Sequence, residues 1–137
     1  MSIDNRENDT PSSSMKLLLR VIPRPNETNN TGDIFGGWLM SQIDLAGAVL
    51  GIEYTGGPIV TVAVKDLTFL KPIYVYDLVS FYGEITHVGK SSLTIHIEAY
   101  AQRRDVFHSK TLKVSDAILV YVAVEKPGVK RLISKRD

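Results

Sequence analysis

The apolar positions of this chain fall into one long segment and several shorter runs, separated by polar or glycine-rich breaks. The long segment extends from Trp38 to Ile52, and nothing in it breaks a helix before Gly56-Gly57-Pro58. This predicts a helix that starts at Gly36 or Gly37 and ends between Gly51 and Gly57. The segment is apolar almost all round. A helix of that kind is buried on every side, here inside a sheet and against a partner helix.

The shorter runs read as strands. Lys16 to Ile22 is β-branched and leucine-rich and is closed by Pro23. Ile59 to Leu70 places Val60, Val62 and Val64 on one side and Thr61, Ala63 and Lys65 on the other, with a slip near Lys65-Asp66 that marks a bulge. Leu78 to His87 points Val79, Phe81, Gly83 and Ile85 inward, and Gly89-Lys90 signals a hairpin turn. Leu93, Ile95, Ile97 and Ala99 then alternate with Thr94, His96, Glu98 and Tyr100. Arg103-Arg104-Asp105 turns the chain into a last strand, Ser109 to Val124. Its continuous apolar run from Ala117 to Val124 predicts burial on both faces.

The order is strand, long loop, helix, then four strands. One helix laid across the edge of a five-stranded sheet covers little of it, whereas a strongly curved sheet can wrap around the helix. The expected class is therefore α+β, an antiparallel five-stranded sheet around one central helix. Residues 1–14 are expected to be a flexible lead, 15–125 the domain and 126–137 a basic tail.

Composition narrows the function classes. The 137 residues make one domain, with 44% hydrophobic and 23% charged positions. A net charge of +1 makes the chain no magnet for nucleic acid or membrane. There is no cysteine, which excludes disulfides and a thiol nucleophile and fits a cytoplasmic protein. No apolar run approaches the ~20 residues that span a bilayer. His87, His96 and His108 lack the spacing of a metal site, so no metal is expected, and His96 with Glu98 reads as a solvated strand face.

Two features carry candidate chemistry. The first turn of a helix has backbone N–H groups without intrahelical partners and a partial positive charge. Gly36 and Gly37 leave those donors open to an electron-rich oxygen. Asp44 is the only charged residue between Asp33 and Glu53, among Ile43, Leu45, Ala46 and Ala48. A carboxylate there must be paired or face a cleft. Asp44 follows Gly37 by seven residues, roughly 10 Å along a helix axis. One helix cannot aim both at one small group, but two antiparallel helices can, which predicts a two-fold dimer with shared sites.

The pattern Asn29-x-x-Gly32-x-x-Phe35-Gly36-Gly37, then Asp44, Thr61-Val62-Ala63-Val64 and Phe69-x-Lys71-Pro72-Ile73, resembles the acyl-coenzyme A thioesterases of the hotdog fold, in their small bacterial YciA-like branch. The likeness covers about residues 16 to 124. It implies acyl-coenzyme A as substrate, coenzyme A as product and no required cofactor. Asp44 would activate water as general base or attack directly as nucleophile. The Gly36 and Gly37 amides of the partner subunit would form an oxyanion hole, and Asn29 would orient the water or the carbonyl. Trp38 is expected in the core and Ser41 near the Asp44 carboxylate. Gly89-Lys90-Ser91-Ser92 resembles the turn that holds coenzyme A phosphates in this family, with Arg103, Arg104 and the tail lysines as weaker candidates, and Lys71 belongs to the family's Lys-Pro pair or caps the strand end. A homodimer assembled into a hexamer, a trimer of dimers, is implied, with Tyr74, Tyr76 and Tyr121 as outer interface residues. The alternatives are a hotdog hydratase or dehydratase, disfavoured because the helix has no histidine, and a non-catalytic acyl-coenzyme A-binding module. Two departures stand out. Tyr76-Asp77 replaces the Gly-Asp of many relatives, and Ala48 occupies a position where some relatives carry a hydroxyl.

Overall fold

The computed structural model describes residues 8–104 and 109–134. Its elements are β1 (Lys16–Val21), α1 (Gly36–Thr55), β2 (Ile59–Phe69), β3 (Leu78–Val88), β4 (Ser92–Arg104), β5 (Ser109–Lys126) and β6 (Val129–Lys130). The five long strands form one antiparallel sheet in the order β1-β3-β4-β5-β2. The sheet curves around α1, which packs against each of them. This is the expected α+β hotdog architecture. It gains a sixth strand, because β6 folds back onto the end of β5.

The helix begins at Gly36, as read from the glycine pair, and ends on Gly56, whose φ of 75° supplies the left-handed C-cap. Its buried stripe is Leu39, Ile43, Ala46, Gly47 and Gly51. Met40, Leu45, Val49 and Ile52 stay 43 to 54% exposed on the opposite face. The sheet therefore covers one side of a helix that is apolar almost all round and leaves the other uncovered.

In β4 the expected alternation holds: Leu93, Ile95, Ile97 and Ala99 are buried under α1. A register shift after Ala99 then turns Tyr100 into a buried position as well. The bulge expected near Lys65-Asp66 is present, with Asp66 at φ 49° and a register shift between Lys65 and Thr68. A second shift falls between Thr61 and Ala63.

The expectation for β5 needs correction. Ala117, Leu119, Tyr121 and Ala123 are buried, but Ile118, Val120 and Val122 are only half-buried. One helix covers one face of the sheet, so the convex face stays partly open. Tyr121, expected as an outer interface residue, is 1% exposed and lies under α1. Tyr74 and Tyr76 do lie outside, at 41 and 72% exposure.

Both ends of the chain return to the domain. Asn8 and Asp9 hydrogen-bond the edge of β5 at Thr111 and Lys113. Beyond β6, Ile133 is buried and its amide donates to the carbonyl of Lys90. Residues 1–7 of the lead, 135–137 of the tail, and Asp105 and His108 beside the expected turn lie outside the described residues. Among the described residues no helix is long and apolar enough to cross a membrane.

Candidate active site

Asp44 sits near the middle of α1, half-buried, where the helix passes β2 and β5. Its carboxylate is tied on one side only. Thr61 Oγ1 donates to Oδ1 at 2.6 Å. The Tyr121 hydroxyl donates to the Asp44 main-chain carbonyl at 2.7 Å and lies 3.2 Å from Oδ1. Oδ2 accepts no hydrogen bond among the described residues. Asp44 lines a cavity of about 330 Å³ with Met40, Ser41, Ile43, Val64, Leu67 and Leu119. Five of those six neighbours are apolar. The result is a carboxylate with one oxygen held by hydroxyls and the other accepting no hydrogen bond among the described residues, beside an apolar recess.

Thr61 and Tyr121 were not singled out for this role by the sequence, which looked to water, Ser41 or Asn29. Ser41 lines the cavity, but the carboxylate's partners come from the sheet. The hydroxyl absent at Ala48 is supplied from β2 and β5 instead. One signal was available: Thr61 and Tyr121 carry side-chain hydroxyls inside otherwise apolar strand runs. A buried hydroxyl needs a partner. Burial and the adjacent Asp44 charge push the Tyr121 phenol up, so it remains a donor throughout the ordinary pH range.

Gly36, Asn29 and Lys71 meet at a different place. With Asp33, Ile34, Phe35, Leu39, Phe69, Leu70, Pro72 and Ile73 they line a cavity of about 400 Å³. Phe35 is the N-cap of α1, with φ −58° and ψ 137°, and no side chain caps the helix start. A side chain at Gly36 would meet the Phe69 ring at 3.2 Å, whereas at Gly37 it would meet nothing within 4 Å. Asn29 organises the preceding loop: its Oδ1 accepts from Thr31 N, Thr31 Oγ1 and Asp33 N at 2.8 to 3.1 Å. This is an Asx-type turn, and it leaves the side-chain amide nitrogen without a hydrogen bond among the described residues. Trp38 is partly buried against the core. Within one chain the Asp44 cavity includes neither glycine, and the Gly36 cavity does not include Asp44.

The Gly89-Lys90-Ser91-Ser92 turn lies at the other end of the helix. Gly89 N donates to Ser92 O, and Ala123 N donates to Ser91 O. Arg131, two residues before Ile133, reaches the last turn of α1 at Thr55. Twenty helical residues separate this end from Gly36, roughly 30 Å. Lys90 is exposed there. Lys71, of the Lys-Pro pair, lines the Gly36 cavity. Arg103 is committed to Asp77, to the Pro72 carbonyl and to the Tyr74 ring.

His96 and Glu98 are not a free solvated face. Glu98 pairs with Asp116 across β4 and β5, and His96, Glu98 and Asp116 bring ligand atoms within 4.8 Å of one another. Lys113 Nζ donates to both carboxylates at 2.6 Å and occupies the place a cation would take.

Comparison with known proteins now decides the family. The thioesterase superfamily model matches residues 31–108. The chain is 41% identical to the acyl-CoA thioester hydrolase YciA of Escherichia coli over 118 residues, 85% of this chain and 89% of that one. The chain belongs to the thioesterase superfamily. Its fold matches that of Cj0915, a hexameric hotdog fold thioesterase of Campylobacter jejuni, with a TM-score of 0.85 and 35% identity over 90% of this chain and 93% of that one. It also matches the hexameric thioesterase y2039 of Yersinia pestis, with a TM-score of 0.81 and 41% identity over 88 and 97% of the two chains. The matched segment of the family model contains the glycine pair, all of α1 and all of β2.

Proposed function

We propose that this chain hydrolyses acyl-coenzyme A thioesters to a carboxylic acid and coenzyme A, without a cofactor, in the cytoplasm. The observation that carries the reading is Asp44: a carboxylate in an apolar recess, with Oδ1 held by hydroxyls and Oδ2 free. Such a group can take a proton from water as the water attacks the thioester carbon. Direct attack by the carboxylate, giving an anhydride, is the alternative use of the same free oxygen.

The negative charge that develops on the thioester oxygen requires donors. The uncapped amides at Gly36 and Gly37 can serve, and one such donor is typically worth ~10²–10³ in rate. Gly36 lines a cavity separate from that of Asp44, and Gly37 lines neither, so the reading places these amides on the partner subunit. The uncovered face of α1, with the exposed Val60, Val62 and Val64 of β2, suits a two-fold contact between copies. Asn29 then orients the water or the carbonyl beside the same amides. The antiparallel arrangement also brings one chain's Gly89–Ser92 turn toward the helix start of the other, where Lys90, Ser91 and Ser92 meet coenzyme A phosphates. The hexamers among the similar structures support assembly of three such dimers.

Release of free thiol from an acyl-coenzyme A series, followed with a chromogenic reagent, tests the activity. Asp44→Ala should lower kcat at least ~100-fold. Mixing it with a variant lacking one amide, Gly36→Pro or Gly37→Pro, tests the shared site. Each is inactive alone, and re-formed mixed dimers regain about a quarter of wild-type activity, since half the dimers are mixed and each has one intact site. Binding of acyl-coenzyme A without turnover, at any chain length, would identify a binding module instead.

A further inference from the structure

The geometry points to Tyr121 and Gly47 as a positioning pair that sets the orientation of the Asp44 carboxylate. The inference rests on the hydrolytic reading and names the part of that site no motif covers.

Tyr121 is 1% exposed and lines none of the described cavities, so it touches Asp44 and not the substrate. Its hydroxyl sits 2.7 Å from the main-chain oxygen of Asp44 and 3.2 Å from Oδ1 of the same residue. A single donor shared between the backbone and the side chain of one residue restricts how that side chain turns. The backbone oxygen is fixed by the helix. The hydroxyl is fixed by the ring, which is packed in the sheet. Oδ1 is therefore referenced to both elements, and Oδ2 accepts no hydrogen bond among the described residues. Thr61 also holds Oδ1, but from an exposed position on the edge strand.

Gly47 is what lets the hydroxyl in. A Cβ built on Gly47 would lie 2.2 Å from the Tyr121 oxygen and 2.9 Å from Cε2 and Cζ. No real Cβ tolerates those distances, so any residue but glycine displaces the ring. Gly47 sits in the interior of α1, where glycine costs helix stability relative to alanine. Its presence there answers the space the tyrosine needs.

The test separates positioning from mere core packing. Tyr121→Phe keeps the ring and removes only the donor. We expect kcat for acyl-coenzyme A hydrolysis to fall 10- to 100-fold, the range typical when a reacting group loses its alignment. KM should stay within about twofold and thermal stability should be little changed. Gly47→Ala should lower kcat as well, by pushing the ring away. In the Tyr121→Phe background the same alanine should lower kcat little further, because the donor it displaces is already gone, even though Cε2 and Cζ at 2.9 Å still meet the new Cβ. Where Gly47→Ala fails to fold, Tyr121→Phe alone decides. Unchanged kcat in Tyr121→Phe, with an active wild type, overturns the inference and leaves the hydrolytic reading standing. A wild type that hydrolyses no acyl-coenzyme A overturns both.

Discussion

Thr61 and Tyr121 face each other across the β2–β5 ladder, and both hydroxyls converge on Oδ1 of Asp44. One cross-strand pair thus supplies both side-chain partners of a carboxylate on a third element. The convergence depends on register. Shifting β2 by one residue would turn Thr61 to the other face and bring a valine in its place. The register shift between Thr61 and Ala63 lies directly beside this contact, so the ladder is adjusted where the helix carboxylate is met.

Thr61→Val tests that contact. Valine keeps the branched shape that suits a strand and lacks the donor. We expect kcat for acyl-coenzyme A to drop about 10- to 100-fold, and Thr61→Ser to keep most of the activity. Steady-state kinetics on the two variants decide it. Equal rates for valine and serine would mean that the hydroxyl has no part in the reaction.

The sequence revealed the fold because its strongest signals are local. The breaker-free segment after Gly36-Gly37 could only be a helix, and the slip at Lys65-Asp66 could only be a bulge. It also made Asp44 conspicuous, as a lone charge in an apolar helix. For Tyr121 it offered only the weak signal of a hydroxyl within an apolar run. In β5 an aromatic within a run from Ala117 to Val124 reads as packing, and only the three-dimensional meeting with Gly47 makes its hydroxyl matter. The His96, Glu98, Asp116 and Lys113 cluster was hidden for the same reason. Its members are separated in sequence and are joined by pairing across β4 and β5. The segment after Lys126 was hard to read because one buried apolar side chain, Ile133, and a guanidinium meeting backbone carbonyls leave no hydrophobic period.

Tyr76 stands where the family resemblance implies a glycine, and its backbone adopts a glycine-like conformation. It has φ 69°, in the left-handed region that favours glycine. A non-glycine residue there costs ~1–2 kcal/mol. Glycine adds unfolded-state entropy that offsets roughly 0.5–1 kcal/mol of the gain. The ring is 72% exposed, so little packing is lost. Tyr76→Gly is expected to stabilise the fold by about 0.5–1 kcal/mol, raising Tm by a few degrees in calorimetry. A lower Tm would show that the exposed ring is held by a contact between subunits.

Asp116 gives a pH dependence with a definite sign. Burial works to raise its pKa, but hydrogen bonds from Lys113 and His96, and the charges behind them, outweigh it and hold the carboxyl below its ordinary value of 3.8. A folded pKa below the unfolded one means that the unfolded chain binds the proton first as pH falls. The contribution to stability is complete above the ordinary value and is lost as pH drops through the lowered one. Asp116→Asn removes it. The stability gap between wild type and variant, from urea unfolding, should be widest near pH 7 and close progressively below 3.8. A gap independent of pH would show that the variant's defect is one of packing.

Arg131 closes the far end of the molecule. Its guanidinium donates to the carbonyls of Thr55, Pro58 and Val124 and to the Thr55 hydroxyl, at 3.0 to 3.3 Å. Thr55 is the last residue of α1, so a positive charge meets the negative end of the helix dipole. Two residues on, the amide of Ile133 holds the Lys90 carbonyl, while Arg131 N donates to Ala123 O and Ala123 N donates to Ser91 O. Arg131 is thus linked to the Gly89–Ser92 turn through the backbone. Arg131→Ala should cost about 2 kcal/mol through the lost charge-assisted bonds. It should also loosen the turn. If that turn grips the phosphates, KM for acyl-coenzyme A rises severalfold, while the rate on the same acyl group carried by pantetheine, which lacks the nucleotide, stays unchanged. Lys90→Ala should give the same split without the loss of stability. An equal rise in KM on both substrates would move the nucleotide site away from this turn.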